Sequence, residues 1–574
     1  RRYLSSFAMD SWKNGLGLQR MNVDLAEHQY RLWDVENCDT RNDFGIILSP
    51  AFNTCTIVPS RGDLDIHFDF KGELYFPQTK EDINAVTYQF SAPNTLGSFK
   101  RLTATGSLGS LCAIKSFGAK IAFVSSREAS PVILGLFSVA SINGEAILGG
   151  TLPLRPDTTI KPCFGDLGGT LHLLMYDDST LKFYLSGQDI GTLTQIGSLP
   201  TTMGTYLAPL VNDGLTMFAY EPRGIYNFDL TPSIIIDTTR AQDLNGALAI
   251  WGQDLIFKSK TSLMKRSSDG AELTPMGYDQ ADGLPSDKMG QVTALCPSWK
   301  YLFAAVKGAS YSHILAMDTN EKWSYFARMP TMGLWVKDMF LSDLPDAIDR
   351  LWCIYGNSPN PGYFLNPIVN PLQAGTYSYV PSGYVTFPEI DGGMPEEAGA
   401  FFGLKIKANA CDTSNFINCL YGLNGAAPAT NLGNAVSLNT AFIIGSPSGI
   451  EGYTIQHKFG LARYAASDGT TPVYRSGILN YLKIPTEREA FDFTIDLNKT
   501  MNERTRPLED VLSVLDTARK SRTLIPFQYG QIATRNVKVL EAPSSEEIKE
   551  IIKTKQIYEG EREGFIRLRV AEII

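Results

Sequence analysis

The chain has 574 residues, 44% apolar and 19% charged, with a formal net charge of −9. That length gives room for about two to four domains, and the composition excludes a disordered or fibrous chain. The acidic balance gives no broad electrostatic attraction to nucleic acid, so no specific nucleic-acid readout is expected, and it disfavours a surface role on anionic membrane. Fifty Gly and 31 Pro alongside 30 Phe and 25 Tyr point to many turns and many half-buried aromatic strands, a β-rich chain.

Residues 1–60 read as an N-terminal extension. It has no cationic start followed by an apolar block, so no signal peptide is expected. Strands around Ile66 to Phe90 (IHFDFKGELYF, AVTYQF) follow. Then a unit of a short apolar strand, a small polar or Gly turn and a second apolar strand recurs. It appears as CAIKSFGAKIAFVS from Cys112, CFGDLGGTLHLLMY from Cys163 and PLVNDGLTMFAY from Pro209. It returns as GALAIWGQDLIFKS from Gly246, ALCPSWKYLFAAV from Ala294 and MFLSDLPDAIDRLWCIY from Met339. The starts lie 51, 46, 37, 48 and 45 residues apart, close to the length of a four-stranded propeller blade, about 40 to 50 residues. The period-2 apolar pattern excludes a helical solenoid. Residues 61–375 are therefore expected to form a β-propeller of six blades, or seven if the Ile66–Phe90 strands make another. A terminal strand paired into the opposite blade would close the ring and remove exposed edges.

After Gly375 the texture changes. GLKIKANA sets Leu404, Ile406 and Ala408 against Lys405 and Lys407. FDFTIDL sets Phe491, Phe493, Ile495 and Leu497 against Asp492, Thr494 and Asp496. With loops such as NGAAPATNLGN, this predicts a β-sandwich over 376–500. From 501 to 574 charge density rises and a small α+β docking module is expected. One helix follows Pro507, with Leu508, Val511, Leu512 and Leu515 on a stripe. A second starts at the Ser544–Glu547 capping box and carries Ile548, Ile551 and Ile552. The strands TLIPFQYG, NVKVL and GFIRLRVAEII complete the module. The fold class predicted is mainly β: a propeller, a sandwich and a C-terminal α+β module. The longest uncharged apolar stretch, Ala129 to Gly144, is too short and broken to span a bilayer, so no transmembrane segment is expected.

Chemistry-bearing patterns are few. The histidines at 28, 67, 172, 313 and 457 are scattered, and no HExxH, GxSxG elbow, Walker loop or GxGxxG appears. Asp63, Asp65, His67 and Asp69 share one face of DLDIHFDF. A metal-binding stripe is one reading. A solvated strand face is favoured, because side chains two apart on a strand are about 7 Å apart and rarely enclose a cation unaided. Arg61-Gly62-Asp63 spells an adhesion tripeptide short enough to recur by chance. Asp391, Glu396 and Glu397 in EIDGGMPEEAG are candidates for a glycoside-hydrolysing carboxylate pair, against a Gly-Gly and Pro turn at the sandwich entrance. SSDG at 267 lacks the rest of a sialidase-type aspartate box. Trp323 looks like the outer-strand Trp of a kelch-type blade, which packs between blades. Eight cysteines without a CxxC read as reduced, mostly buried thiols. Cys411 and Cys419 are near enough in sequence to bridge, and spacing alone does not decide it. No catalytic, cofactor-binding or metal residue is assigned.

The stretch from Asp10 to Pro50 has a recognisable grammar. Asn14-Gly15-Leu16-Gly17 opens it, a run from Glu27 to Asn37 follows, then a turn from Arg41 to Gly45. This resembles the opening of tail β-propeller proteins of tailed bacteriophages, including the nozzle or hub proteins that close the tube of short-tailed phages. Those usually carry Arg-Pro-Gly or Arg-x-Gly; here Asn42, Asp43 and Phe44 intervene. PVYRSGILNYLKIPTEREAFDFTIDL from Pro472 is similar to the domain after the propeller in such proteins. TLIPFQYG and REGFIRLRVAEII are similar to small β-rich modules of tail tips and baseplates. The resemblance implies a structural component of the virion tail, assembled in the host cytoplasm. It implies other phage tail proteins as partners, a homo-oligomeric ring and no catalytic residue. The alternative is a host-surface glycan-binding or glycan-degrading propeller, a tailspike or adhesin. Degradation would need two carboxylates about 5 to 9.5 Å apart in the propeller mouth, and an adhesin would expose aromatic side chains on a distal loop. A cellular scaffold propeller is a further rival, which leaves the phage-like opening unexplained.

Overall fold

The computed structural model describes residues 4–17, 31–42 and 45–55, nearly all of 247–483, and the strands named below within 68–237 and 490–572. Every named element is a β-strand. Phe68–Phe70, Glu73–Gln78, Ala85–Ala92 and Thr95–Leu102 form a first four-stranded antiparallel sheet. A second runs from Ser110–Phe117 to Ile147–Thr151, a third from Cys163–Leu167 to Leu193–Pro200, and a fourth from Val211–Asn212 to Thr231–Asp237. A fifth runs from Leu248–Trp251 to Leu273–Pro275, and a sixth from Gln291–Pro297 to Trp323–Arg328. In each, strands are hydrogen-bonded in chain order. The seventh takes Val336–Ser342, Arg350–Tyr355 and Gly362–Leu365, then draws its fourth strand, Asn53–Thr54, from the N-terminal segment. Each sequence repeat coincides with the first two strands of one of these sheets, from the second to the seventh.

Local sequence explains the meanders. Leu302–Lys307 and Ser312–Met317 sit in mid-sheet with almost every residue buried, so LFAAV and HILAM read as continuous apolar runs. Gly168 and Gly169 join the first two strands of the third sheet at φ +59° and +75°, a tight two-residue hairpin with positive φ at both positions, which glycine adopts without steric cost.

The first strand of each sheet lies beside the first strand of the next, from Phe68–Phe70 round to Val336–Ser342. The first and seventh sheets also meet: the Phe76 ring lies 5.1 Å from Trp352 and 6.0 Å from Phe340, in a cluster with Leu74, Cys55 and Tyr363. The sixth and seventh sheets share a chain of rings. Phe303 lies 5.5 Å from Phe326, Phe326 5.4 Å from Phe364, and Phe364 5.0 Å from Phe52. Each contact is worth about 0.5–1.5 kcal/mol beyond the area it buries. The arrangement is β-propeller-like.

Two five-stranded sheets follow. One is ordered Leu4–Met9, Val473–Lys483, Gly399–Asn409, Asn439–Ile443, with Ile450–Gly452 also on Gly399–Asn409. The other is ordered Asp34–Glu36, Ser382–Thr386, Ile455–Arg463, Asn415–Leu423, Thr430–Ala435. Leu404, Ile406 and Leu479 of one and Ile417, Phe459 and Leu461 of the other enter a common core, where Phe459 stacks on Tyr474 at 4.8 Å.

Three expectations change. Residues 1–60 are no separate extension: their strands complete both five-stranded sheets and the seventh sheet. NGAAPATNLGN is not all loop, since Thr430–Ala435 is an edge strand. Ala490–Asp496, assigned by its alternation to the sandwich, pairs instead with Phe565–Glu572 in a C-terminal sheet with Arg535–Glu541 and Ile525–Phe527. Alternation fixes which face is buried and says nothing about which strand is the partner. The helices expected after Pro507 and at Ser544–Glu547 lie outside the described residues.

Candidate functional site

The N-terminal segment is a strap that bonds in turn to the sixth sheet and to the sandwich. Leu16 N–H donates to the Trp323 carbonyl at 3.0 Å and Thr40 N–H to the Tyr325 carbonyl at 3.0 Å. Tyr325 N–H donates back to Thr40 Oγ1 at 2.9 Å, and Ser49 Oγ donates to the Phe326 carbonyl at 2.7 Å. On the sandwich side, Trp33 N–H donates to the Thr386 carbonyl at 2.9 Å, and Ile46 and Tyr474 exchange backbone bonds at 3.0 and 2.9 Å. Trp12 is fully buried, its indole N–H donating to the Thr40 carbonyl at 3.0 Å.

Arg41 and Gly45 sit at the centre of this strap. Arg41 forms a buried bidentate pair with Asp39, closest at 2.6 Å, donates to the Pro367 carbonyl, and lies 4.3 Å over the Phe326 ring. A planar guanidinium meets all three demands, two carboxylate oxygens, a carbonyl and an aromatic face, where an ammonium would not. At Gly45 a Cβ would stand 2.7 Å from Val473 Cγ1, so the strap approaches the sandwich too closely for a side chain.

Beside it lies a polar junction built from three parts of the chain. Lys288, its side chain 1% exposed, reaches Asp34 at 2.7 Å, Asp287 at 3.1 Å and Glu36 at 4.0 Å. Arg328, from the sixth sheet, pairs with Glu36 and lies 4.0 Å over Tyr311. From the sandwich, the Tyr384 hydroxyl donates to Asp34 at 3.0 Å, and Lys458 sits 3.4 Å over the Tyr384 ring. Three carboxylates thus face three cations across the joint, which limits the cost of burying them. Burial pulls the Lys288 pKa down, but the charge and hydrogen bonds of Asp34 and Asp287 outweigh it and the net shift is upward. His313 bonds the Tyr325 hydroxyl at 3.0 Å. Burial, reinforced by the positive charge of Lys288, pulls it down to about 3, so at neutral pH it is an uncharged linker. Tyr384 is pushed up by burial and by the Asp34 charge. The set ties the strap, the sixth sheet and the sandwich to one another.

The residues singled out in the sequence do not converge on it. Asp63, Asp65 and His67 lie outside the described residues, as do Arg61 and Gly62; Asp69 is exposed in Phe68–Phe70. Among the described residues no group of three or more His, Cys, Asp or Glu is placed to hold a metal. Asp391 is buried, and Glu396 and Glu397 lie outside the described residues. His172, His313 and His457 stand in three different sheets, and His28 lies outside the described residues. Ser267–Asp269 is a surface turn tied by Glu272 N–H to Ser267 Oγ at 3.0 Å. Trp323 is buried between the fifth and sixth sheets, its indole N–H donating to the Met276 carbonyl at 2.8 Å. Cys38, Cys55, Cys296, Cys353, Cys411 and Cys419 are free thiols, all buried except the half-buried Cys411. Burial pushes the Cys55 thiol up to about 12 and the Cys411 thiol up to about 11, far from a reactive thiolate. Sequence reasoning missed the junction, whose members sit at 34, 36, 287, 288, 328, 384 and 458 with no shared motif.

No family model and no curated protein matches the sequence. Among solved structures the chain is similar to the WD40 domain of Toxoplasma gondii coronin, at 10% identity and a TM-score of 0.36, covering 59% of this chain and 89% of that one. YCF48 from Cyanidioschyzon merolae is similar at 11% identity and 0.37, covering 55% and 98%. An exo-β-1,3-galactanase from Phanerochaete chrysosporium is similar at 11% and 0.26, covering 75% and 100%. At these scores the likenesses carry nothing beyond themselves.

Proposed function

We propose that the chain is a non-enzymatic structural subunit of a bacteriophage tail, a nozzle, hub or tail-tip component, built on a seven-bladed propeller closed by Asn53–Thr54. The observation that supports this reading best is the dual character of the N-terminal segment. The stretch from Asp10 to Pro50 that resembles the opening of tail propeller proteins also contains, in its described residues 10–17, 31–42 and 45–50, the strap that fastens propeller to sandwich. A buried ion network and a threaded strap suit a rigid building block whose surfaces face other tail proteins. Incubating the purified protein with capsular polysaccharide or lipopolysaccharide tests the non-enzymatic part. No new reducing ends are expected. Release of reducing ends, abolished by changing an acidic residue in the propeller mouth, would overturn it.

One observation favours the adhesin alternative. Trp299 is 79% exposed on a turn held by Ser298 N–H to the Tyr301 carbonyl at 2.8 Å and by the Trp251 indole to the Ser298 carbonyl at 2.7 Å. An exposed indole carried on a hydrogen-bonded turn is a stacking surface for a sugar ring. Glycan binding that disappears in Trp299→Ala would move the function from tail building to host attachment.

A further inference from the structure

The sandwich sheet that begins with Leu4–Met9 ends with Asn439–Ile443. Leu4–Met9 pairs only with Val473–Lys483, and Asn439–Ile443 only with Gly399–Asn409, so among the described residues each leaves one ladder edge without a strand partner. Open edges are normally blunted by charge, Pro or a bulge, because unpaired N–H and C=O groups template pairing with another chain. Neither LSSFAM nor NTAFI contains a charge or a Pro, and the register of both pairings runs without a bulge.

The neutrality extends well past the strand. From Thr413 to Ile450 no Asp, Glu, Lys, Arg or His occurs. At the chain's 19% charge such a stretch would carry about seven charged residues, and charge depletion marks the buried part of protein interfaces. Its exposed apolar side chains lie at this edge: Ile443 is 68% exposed, Leu438 55% and Val436 40%.

A neutral edge cannot select its partner by charge. What complements it is another uncharged open strand of similar length, and such a strand stands at the opposite edge of the same sheet. The strand directions agree. Each neighbouring pair from Leu4–Met9 to Asn439–Ile443 is antiparallel, so a second copy placed in continuation brings its Leu4–Met9 antiparallel to Asn439–Ile443 of the first. Ser6 and Ala8 are small and exposed on that strand and put nothing bulky in the way.

We propose that Asn439–Ile443 of one copy pairs with Leu4–Met9 of a second copy of this chain, a head-to-tail contact that continues the sheet across subunits. Such a heterologous contact closes into a ring when its rotation divides the circle. The proposal rests on the reading of the chain as an assembly subunit and names one contact by which it assembles.

The test uses the full chain, pure, by native mass spectrometry and light scattering. The wild type is expected to self-associate. Ser6→Lys and Ile443→Lys, each alone, are expected to weaken self-association at least tenfold with unchanged thermal melting. Mixed together, the two variants are expected to form a heterodimer and stop there, because each contributes its one intact edge to the contact and only altered edges are left. A monomeric wild type, continued assembly of Ser6→Lys, or a mixture that stays monomeric would overturn the proposal; undiminished Ser6→Lys assembly with monomeric Ile443→Lys would mean a twofold edge contact instead. If either variant melts early, Ala8→Lys and Ala441→Lys repeat the same design. Because no virus particle is involved, failure here leaves the tail reading standing, and absence from particles leaves the edge contact standing.

Discussion

Lys288→Met removes the one ammonium that faces all three carboxylates of the junction while keeping most of the stem. Removing one partner of a fully buried ion pair costs about 3–5 kcal/mol, because the other charge stays desolvated and unpaired. The structure discounts that figure. Asp34 retains the Tyr384 hydroxyl and is 20% exposed in its side chain, Glu36 retains Arg328, and Asp287 is 57% exposed and contributes little. The expected loss is about 2–3 kcal/mol, which for a unit of several hundred residues lowers Tm by about 2–5 °C. Circular dichroism and tryptophan fluorescence, followed through heat and urea, measure it. Adding Asp34→Asn should restore part of the loss, since a neutral amide no longer needs the cation, giving a coupling of about 1–2 kcal/mol. A Lys288→Met protein within about 0.5 kcal/mol of wild type, or a double variant that loses the sum of the singles, would refute the reading of the junction as a joint. The upward shift of Lys288 adds a pH signature. Its contribution is fully present below the unfolded lysine value of about 10.4 and is lost as pH rises through the folded value above it, so the difference from Lys288→Met should shrink only in strong alkali.

Trp323→Phe should cost about 1–2 kcal/mol, from the lost indole bond to the Met276 carbonyl and the space left between two sheets; urea denaturation checks it, and an unchanged midpoint would contradict the inter-sheet packing. Acid should destabilise through histidines held neutral. With His313 at about 3 and His457, buried and stacked on Phe459, at about 4, the unfolded chain binds more protons below about pH 6.5, so stability falls progressively from there toward pH 4. Denaturation midpoints across that range should fall less steeply in His457→Leu than in wild type, and parallel slopes would exclude the effect. Deleting everything after Thr500 should leave a folded propeller that no longer joins the particle; normal incorporation of the truncated protein would move the docking contacts onto the propeller.

The repeat was legible because each sheet opens with two apolar strands around a turn, and that pairing is local. Which N-terminal residues pair where was not: Asn53–Thr54, in the seventh sheet, and Asp34–Glu36, in the sandwich, are two and three residues long, too short to carry a period, and their partners lie hundreds of residues away. The place of Trp323 is legible because a tryptophan on an outer strand has little choice but to pack against a neighbouring sheet. The sequence marks Arg41 to Gly45 as a turn, yet it does not say that Arg41 stacks on Phe326 or that Gly45 lies against Val473. The polar junction was invisible for a simpler reason. Its charges are ordinary surface residues in every local window, and only the docking of strap, propeller and sandwich brings them together.

We propose that this chain is built into a virus tail. Electron microscopy of particles purified from cells expressing the gene, with the protein carrying a gold-binding tag, tests it most directly. Label is expected at the tail of every particle, in repeated copies around the tail axis. Label absent from the particles, with the protein recovered only in the free fraction, would contradict it.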